Sequence, residues 1–423
     1  MNKIHLGIVG AGVVGGSLIE LVQSQKEHLE KTYGLSVILE KVVTRTPSKI
    51  SFPATTNPKE VWENPKIDLV CELIGGTTTA YDVIKNSLLN KKTVVTANKA
   101  LLSEKGEELF SLAEKEGVEI GYEASSGGSI PIIRTLRNGI VGNDFQIIAG
   151  ILNGTTNFIL TKMELESWDY PTALRKAQEL GFAEADPTFD VEGLDAGQKL
   201  GLIASLAFKA NIPFSQIYSE GITKISATDI KIANSLGYRI KLLAIAKKWN
   251  QGILVKVTPV LLPLQHPLSS IMNEMNAIYY RTTSSGSGMI LGKGAGGFPT
   301  ASAVLSDVLY YGMRRYTSKS NFEKNLFPKA IILEPNESVV RAYLRFKTMD
   351  KPGVLSMIAK VLGENDISIS YVKQEESDEP VVELVVLTHE TTERQIQKSL
   401  ANFETLSNII KEKPVYIRLV DEL

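Results

Sequence analysis

KIHLGIVGAGVVGGSLIELV, residues Lys3–Val22, decides the fold. It reads as a short apolar strand, a glycine turn and an amphipathic helix. Gly10, Gly12 and Gly15 form G-x-G-x-x-G in the right context, strand before and helix after. Glycine at these positions permits a tight turn, and it lets a pyrophosphate come close to the helix N-terminus. The motif alone is weak, and its surroundings strengthen it. A strand near Val37–Val43, IDLVCELIGG (Ile67–Gly76), a helix, TVVTAN (Thr93–Asn98), a second helix and VEIGYEA (Val118–Ala124) continue the alternation. Repeated βα units predict an α/β domain with a doubly wound parallel sheet of the Rossmann type over residues 1–130.

Ligands of such sheets lie outside the carboxyl ends of the strands. Gly75–Asp82, Thr96–Ser103 and Tyr122–Pro131 are polar and fall there. The second strand ends in VVTRTPSK, where a site for NAD usually has an acidic residue. Arg45 stands in that region, and a guanidinium suits a 2′-phosphate, so NADP is expected over NAD; the alternative is a solvated loop arginine. Lys99 falls where a helix begins. A cation there is unfavourable by up to about 1 kcal/mol, which argues for a function against a merely snorkelling lysine.

A chain of 423 residues predicts two or three domains. The formal net charge of -1 gives no reason to expect nucleic acid or an anionic membrane as partner. One cysteine, Cys71, excludes a disulfide framework or a cysteine metal cluster within the chain. No signal-like segment and no transmembrane run is legible, so a cytoplasmic location is expected. The four histidines, His5, His28, His266 and His389, are scattered. Proton transfer therefore falls to lysines and carboxylates.

Beyond Pro131 the βα alternation fades into an α+β domain, expected over 131–298 for substrate binding and oligomerisation. FQIIAGIL reads as a strand and NGTTNFILTKM as a polar turn opening a helix. There Asn153, Thr155, Thr156 and Asn157 offer groups to a polar ligand, or simply an N-cap. DPTFDVEGLDAGQK (Asp186–Lys199) then runs directly into the apolar LGLIASLAF. Asp195 and Lys199 share a helix face. As a surface pair they would contribute only a few tenths of a kcal/mol. At the mouth of a buried helix, Lys199 becomes a workable proton donor, with Glu184, Asp190 and Asp195 to orient it and to hold a substrate ammonium. A helix from Pro299 is expected to return to the nucleotide domain, over about 299–330.

AQELGFAEADPTFDVEGLDAGQK (Ala177–Lys199) resembles homoserine dehydrogenases in the order and spacing of its residues. So do GIVGAGVVG, LIGG, TANKALL, ILNGTTNFIL and GAGGFPTASAVLSD, and the match spans residues from about 4 to 310. The resemblance implies reversible NAD(P)-dependent interconversion of L-homoserine and L-aspartate 4-semialdehyde, on the route to threonine, isoleucine and methionine. It implies Lys199 as proton donor, Lys99 as its partner beside cofactor and substrate, and Asp195 paired with Lys199. Glu184 and Asp190, with Asn153 and Thr155, would hold substrate. Gly10, Gly12, Val13, Val14 and Gly15, with Arg45, Thr96 and Lys99, would hold the cofactor. Glu123 and backbone oxygens near Ser126, Gly128 and Ile130 would hold a monovalent cation such as sodium; at Ser126 the family often has valine. Aspartate-semialdehyde dehydrogenase, which acts on the same aldehyde, needs a cysteine nucleophile, and Cys71 sits in an apolar strand. A catalytically silent nucleotide- and amino-acid-sensing protein on the same fold is the alternative from another class.

Asn321–Ser338 reads as a linker. After it, residues 340–423 run strand, helix, strand, strand, helix, strand. This βαββαβ order, with DKPGVLSMIAKVLGENDISI, resembles a ferredoxin-like ACT domain. The turn at Asp350, Gly353, Val354 and Leu355 would present backbone N–H groups to the carboxylate of an amino-acid effector, threonine as end product, and Asn365 and Asp366 would meet its ammonium. Such domains pair side by side, which implies a homodimer or homotetramer.

Overall fold

The alternation that starts at Lys3 folds as an open six-stranded sheet. The computed structural model describes residues 2–249, 251–316, 324–374, 379–421 and 423. Strands β1 (Asn2–Val9), β2 (Leu35–Val43), β3 (Ala54–Thr55), β4 (Leu69–Glu72), β5 (Thr93–Thr96) and β6 (Ile120–Gly121) lie in the order β3-β2-β1-β4-β5-β6. Every pairing is parallel. The order reverses between β1 and β4, so the crevice of the sheet opens where β1 meets helix α1 (Val13–Ser24). Two glycines of that turn are sterically required. Gly10 has φ of 106°, and a Cβ there would stand 2.6 Å from the carbonyl oxygen of Leu73. A Cβ on Gly15 would stand 1.9 Å from the carbonyl oxygen of Gly10, so only glycine lets α1 pack this close to β1.

Three strands end sooner than the sequence pattern predicts. β4 stops at Glu72 and β5 at Thr96, because Asn98 leaves the ladder to cap helix α2 (Lys99–Glu116). β6 keeps only Ile120 and Gly121; the Glu123 N–H donates to the Asp307 carboxylate at 2.9 Å and turns the chain away.

The second sheet is built on β7 (Phe145–Ile151), which precedes helices α3 (Gly154–Leu165) and α4 (Leu194–Phe208). Long strands β8 (Tyr238–Trp249) and β9 (Gly252–Pro263) follow, then β10 (Met275–Thr282) and β11 (Gly286–Lys293). β11 is an edge strand that its glycines hide from a propensity reading. Helix α5 (Gly297–Arg314) crosses back: Ala301, Val304 and Val308 share one apolar cluster with Leu18, Ile19 and Val22 of α1. Residues 317–323, where the returning segment runs into the linker, lie outside the described residues.

The C-terminal unit comprises β12 (Val339–Met349), α6 (Val354–Gly363), β13 (Ile369–Gln374), β14 (Val381–Thr388), α7 (Glu393–Asn402) and β15 (Val415–Leu419). Its strands are not a separate sheet. The full order is β11-β10-β7-β8-β9-β15-β12-β14-β13, antiparallel except where β15 joins β9 in parallel through Val260↔Arg418 and Leu261↔Leu419. Two buried ion clusters lock this seam. Arg345 grips the fully buried Asp229 with Nε at 2.6 Å and Nη2 at 3.0 Å. Arg418 grips Glu393 with Nε at 2.9 Å and Nη2 at 2.7 Å, and reaches Glu220 with Nη1 at 2.6 Å. Removing one partner of such a pair costs about 3–5 kcal/mol, because the other charge is left buried alone. Among the described residues no helix is long and apolar enough to cross a membrane.

Candidate active site

Asn153 caps α3: its Oδ1 accepts from the Thr156 N–H at 2.8 Å. That fixes the other end of the amide. Nδ2 then donates to Asp190 at 2.7 Å and to Asp195 Oδ2 at 3.0 Å. Asp195 lies in the first turn of α4, where the helix dipole favours a carboxylate. Lys199 lies one turn on. Its Nζ donates to Asp195 Oδ2 at 2.7 Å and to the Leu152 carbonyl at 2.8 Å, where β7 has just ended. Two of its three N–H bonds are thus placed, and the third has no partner among the described residues. Lys99, at the start of α2 in the other domain, brings its Nζ to 3.3 Å from Asp195 Oδ1. One carboxylate therefore holds two ammonium groups, one on each oxygen.

Asp195 and Lys199 are only 8% and 11% exposed in their side chains; Lys99 is 30% exposed and faces the crevice mouth. Burial pushes the Asp195 carboxyl upward, but Lys199 and then Lys99 outweigh it and hold the group at about 2. Asp190 is shifted upward, chiefly by burial, with the Asn153 amide opposing. Thr155 donates to the Phe182 carbonyl at 2.6 Å, which ties the 181–187 loop to the start of α3. Glu184 is exposed on that loop, and its carboxylate has no partner among the described residues. Asn153 and Asp190 are in the cluster, and among the described residues no contact brings the Glu184 carboxylate to it.

The loop before Lys99 is set by Glu72 and Asn98, which the sequence reading did not single out, together with Thr96. Glu72, fully buried at the end of β4, accepts from Ile74 N at 2.9 Å and Gly75 N at 3.1 Å, and from the Thr96 hydroxyl at 2.6 Å. Thr96 accepts in turn from Asn98 N at 3.0 Å, and Asn98 Nδ2 donates to Gly76 O at 2.7 Å. The Thr96 hydroxyl thus links the ends of β4 and β5 to the start of α2. The signal was present as a lone glutamate closing the apolar strand LVCE. At the glycine turn, open space lies where a Gly12 Cβ would project, and no side chain caps α1. Val13 is exposed and Val14 partly so, leaving their backbone N–H groups to an anion. Arg45 is exposed just past β2, beside this turn because Gly10 N donates to Val43 O at 2.9 Å.

Glu123 is buried, and its oxygens accept from Ile133 N at 2.8 Å and Arg134 N at 2.9 Å. Burial, then Asp307, push its carboxyl up to about 7. Ser126 and Ile130 are buried beside it, and Gly128 (φ 58°) lies against the Gly294 backbone. Among the described residues no three His, Cys, Asp or Glu side chains gather as a metal cluster. Cys71 is buried, and burial pushes its thiol up, which removes it as a nucleophile. In the C-terminal unit, Gly353 (φ 89°) opens α6 with no side-chain cap. Val354 is buried, Leu355 exposed, and Asp350 accepts from Gln374 at 3.2 Å. Asn365 is turned inward, its Nδ2 donating to Val361 O at 2.7 Å, whereas Asp366 is exposed with φ of 56°.

Comparison with known proteins agrees along the whole chain. The homoserine dehydrogenase family model matches residues 131–309, the homoserine dehydrogenase NAD binding domain matches 10–123, and the ACT domain matches 342–407. A homoserine dehydrogenase of Pseudomonas aeruginosa is 36% identical over 97% of each chain, and one of Bacillus subtilis is 37% identical over 98% of each. Among solved structures, a homoserine dehydrogenase from Thiobacillus denitrificans superimposes with a TM-score of 0.94 at 36% identity, covering 100% of this chain and 99% of that one. A hyperthermophilic archaeal homoserine dehydrogenase in complex with NADPH gives a TM-score of 0.64 at 25% identity, over 74% of this chain and 98% of that one.

The depressed Asp195 carboxyl makes a stability prediction with a definite sign. Its folded pKa of about 2 lies below its ordinary 3.8. The group thus contributes stability, on the order of 2 kcal/mol, that is fully present above about pH 4 and is lost as pH falls toward 2. Urea unfolding of the wild-type chain and of Asp195→Asn at pH 6 and pH 3 measures it. The wild type should lose about 1 kcal/mol more than the variant between the two; equal losses would show that the lysines do not hold this charge.

Proposed function

The chain belongs to the homoserine dehydrogenase family, and from that membership we propose how its own residues carry the reversible NAD(P)-dependent interconversion of L-homoserine and L-aspartate 4-semialdehyde. The observation that carries the reading is Asp195 with an ammonium on each oxygen, Lys199 from the substrate domain and Lys99 from the nucleotide domain. When bound, the nicotinamide cofactor supplies the hydride chemistry. In the reducing direction negative charge grows on the aldehyde oxygen. Lys199 gives it the proton of its unplaced N–H, and Lys99 stabilises the charge. In the oxidising direction the Lys199 amine takes the hydroxyl proton. Asp195 keeps both lysines in place, Asn153 orients Asp195 and Asp190, and Asp190 with the exposed carboxylate Glu184 receives the substrate ammonium. The apolar body of α4 keeps water away from Lys199.

Three finer assignments belong to the same reading. The exposed guanidinium of Arg45 beside the glycine turn suits the 2′-phosphate of NADP, and the archaeal relative was solved with NADPH. A monovalent cation fits beside Glu123, whose buried carboxyl stands near Asp307 with hard backbone oxygens around it at Ser126, Gly128 and Ile130. The uncapped start of α6 suits the carboxylate of a threonine effector, between C-terminal units of a homodimer or homotetramer.

Lys199→Ala is expected to lower kcat about a hundredfold or more while leaving cofactor affinity nearly unchanged; near-wild-type kcat would remove Lys199 from the chemistry. Arg45→Asp should move the ratio of kcat/KM for NADP over NAD toward NAD, and an unmoved ratio would mean Arg45 does not read the phosphate. Initial rates against threonine, for the full chain and for a chain ending near Glu334, test the effector. Inhibition should appear in the first and vanish in the second; no inhibition in either, or equal inhibition in both, removes the regulatory role.

A further inference from the structure

Strand β9 reads GILVKVTPVLLP, and Lys256 is its only charge. The ladder sets Lys256 opposite Ile245 of β8, and Leu254 opposite Lys247, which in turn faces Ile147 of β7. The C-terminal unit adjoins this face of the catalytic sheet, and a partly open cavity of about 540 Å³ lies between them. Ile147, Ile245 and Leu254 line it from the sheet, and Val340 and Leu419 from the C-terminal unit. Lys256 also lines it and is 6% exposed. Its ammonium makes no hydrogen bond and no ion pair with any described residue. Three N–H donors therefore stand without an acceptor in a cavity whose walls are mostly apolar but also carry Lys247, Arg341, Arg418, Glu390 and Asp421, an arrangement that costs free energy until something supplies one.

The neighbouring charges do not supply it. Glu393 is held by Arg418 through Nε and Nη2, and Glu220 through Arg418 Nη1. Asp421 is held by Arg341 and by the Tyr238 hydroxyl. Glu390 lies at the exposed rim. Burial, then Arg418, pull the Lys256 ammonium down to about 8, against the more distant attraction of Glu393 and Glu220.

We propose that the cavity between the catalytic sheet and the C-terminal unit is a binding site for a small aliphatic monocarboxylate, whose anionic end is held by Lys256. The apolar walls take the aliphatic body, and the carboxylate accepts from the ammonium. The site is distinct from the Asp195 cluster and from the start of α6, and it does not depend on either. It is nonetheless physically joined to the substrate segment. Glu220 N donates to the carbonyl of Val257, next to Lys256, at 2.8 Å. Ile222 N donates to Val191 O at 2.9 Å, and Val191 adjoins Asp190. Gly221 packs so closely there that a Cβ would stand 2.2 Å from the Val191 carbonyl.

The test uses the full chain, with isobutyrate as probe and its neutral isostere isobutyramide as control, read by calorimetric titration and by the unfolding temperature. Isobutyrate should bind saturably and raise Tm, and isobutyramide should do neither. Lys256→Met should abolish the isobutyrate response while keeping wild-type kcat and sedimentation; Lys256→Gln replaces it if the methionine variant does not fold. Absence of a saturable response in the wild type would mean that the cavity holds water only, and overturns the proposal. So does a response retained without Lys256, a response to isobutyramide, or an equal response to inorganic phosphate, which has no aliphatic body. A changed sedimentation coefficient in Lys256→Met also overturns it, since a second copy of the chain would then be the partner of Lys256.

Discussion

One carboxylate holding two ammonium groups is the constraint on which the site depends. Asp195 is buried, so its charge is tolerated only because Lys199 and Lys99 face it. The two lysines arrive from different domains. Lys199 is fixed by its own helix, one turn after Asp195. Lys99 is fixed by the nucleotide domain, through Asn98 and the Glu72–Thr96 tie that shapes the ends of β4 and β5. The ion pairs therefore also tie the nucleotide-binding domain to the second domain. A displacement of α2 relative to α4 separates charges in a poorly solvated site, which is unfavourable in proportion to how little water can replace the partner.

Much of this was legible because local pattern and global role coincide. The three glycines announce the turn, and the structure gives each its own reason: a left-handed φ at Gly10, open space at Gly12, backbone contact at Gly15. Asp195 and Lys199 are four residues apart on one helix, so their pairing follows from helix geometry. The lysine at a helix start, unfavourable for the dipole, argued for a function at Lys99, and the structure sets its ammonium 3.3 Å from Asp195.

What was not legible is what the chain brings together from afar. Nothing local shows that Glu72 closes the crevice floor, because its partners lie at 74, 75 and 96. Thr96, expected beside the cofactor, also donates its hydroxyl to that glutamate. Strand β11 was hidden by glycines that an edge strand tolerates. The continuity of the two sheets was also hidden: a linker-like stretch before residue 338 argues for an independent domain, whereas the β9–β15 pairing and the Arg345 and Arg418 clusters make one body of the two.

Three buried lysines show how much the partner, rather than the burial, determines what an ammonium does. Lys241 is almost fully enclosed, and burial followed by Arg239 pulls it down to about 7; the Asn157 amide oxygen at 2.8 Å and the Ile271 carbonyl accept its protons, so it ties α3 to the sheet. Those acceptors are neutral, and the group has no reason to exchange a proton with anything. Lys256 has burial without acceptors, so its environment asks for a ligand rather than for a reaction. Of the three, Lys199 alone has a buried carboxylate, a backbone carbonyl and one N–H left over, on a carboxylate that Lys99 also contacts. That combination fixes the ammonium through two acceptors, and in the proposed reaction the remaining N–H is the one that meets the substrate oxygen. The apolar helix after Lys199 and the acidic segment before it are two halves of the same device.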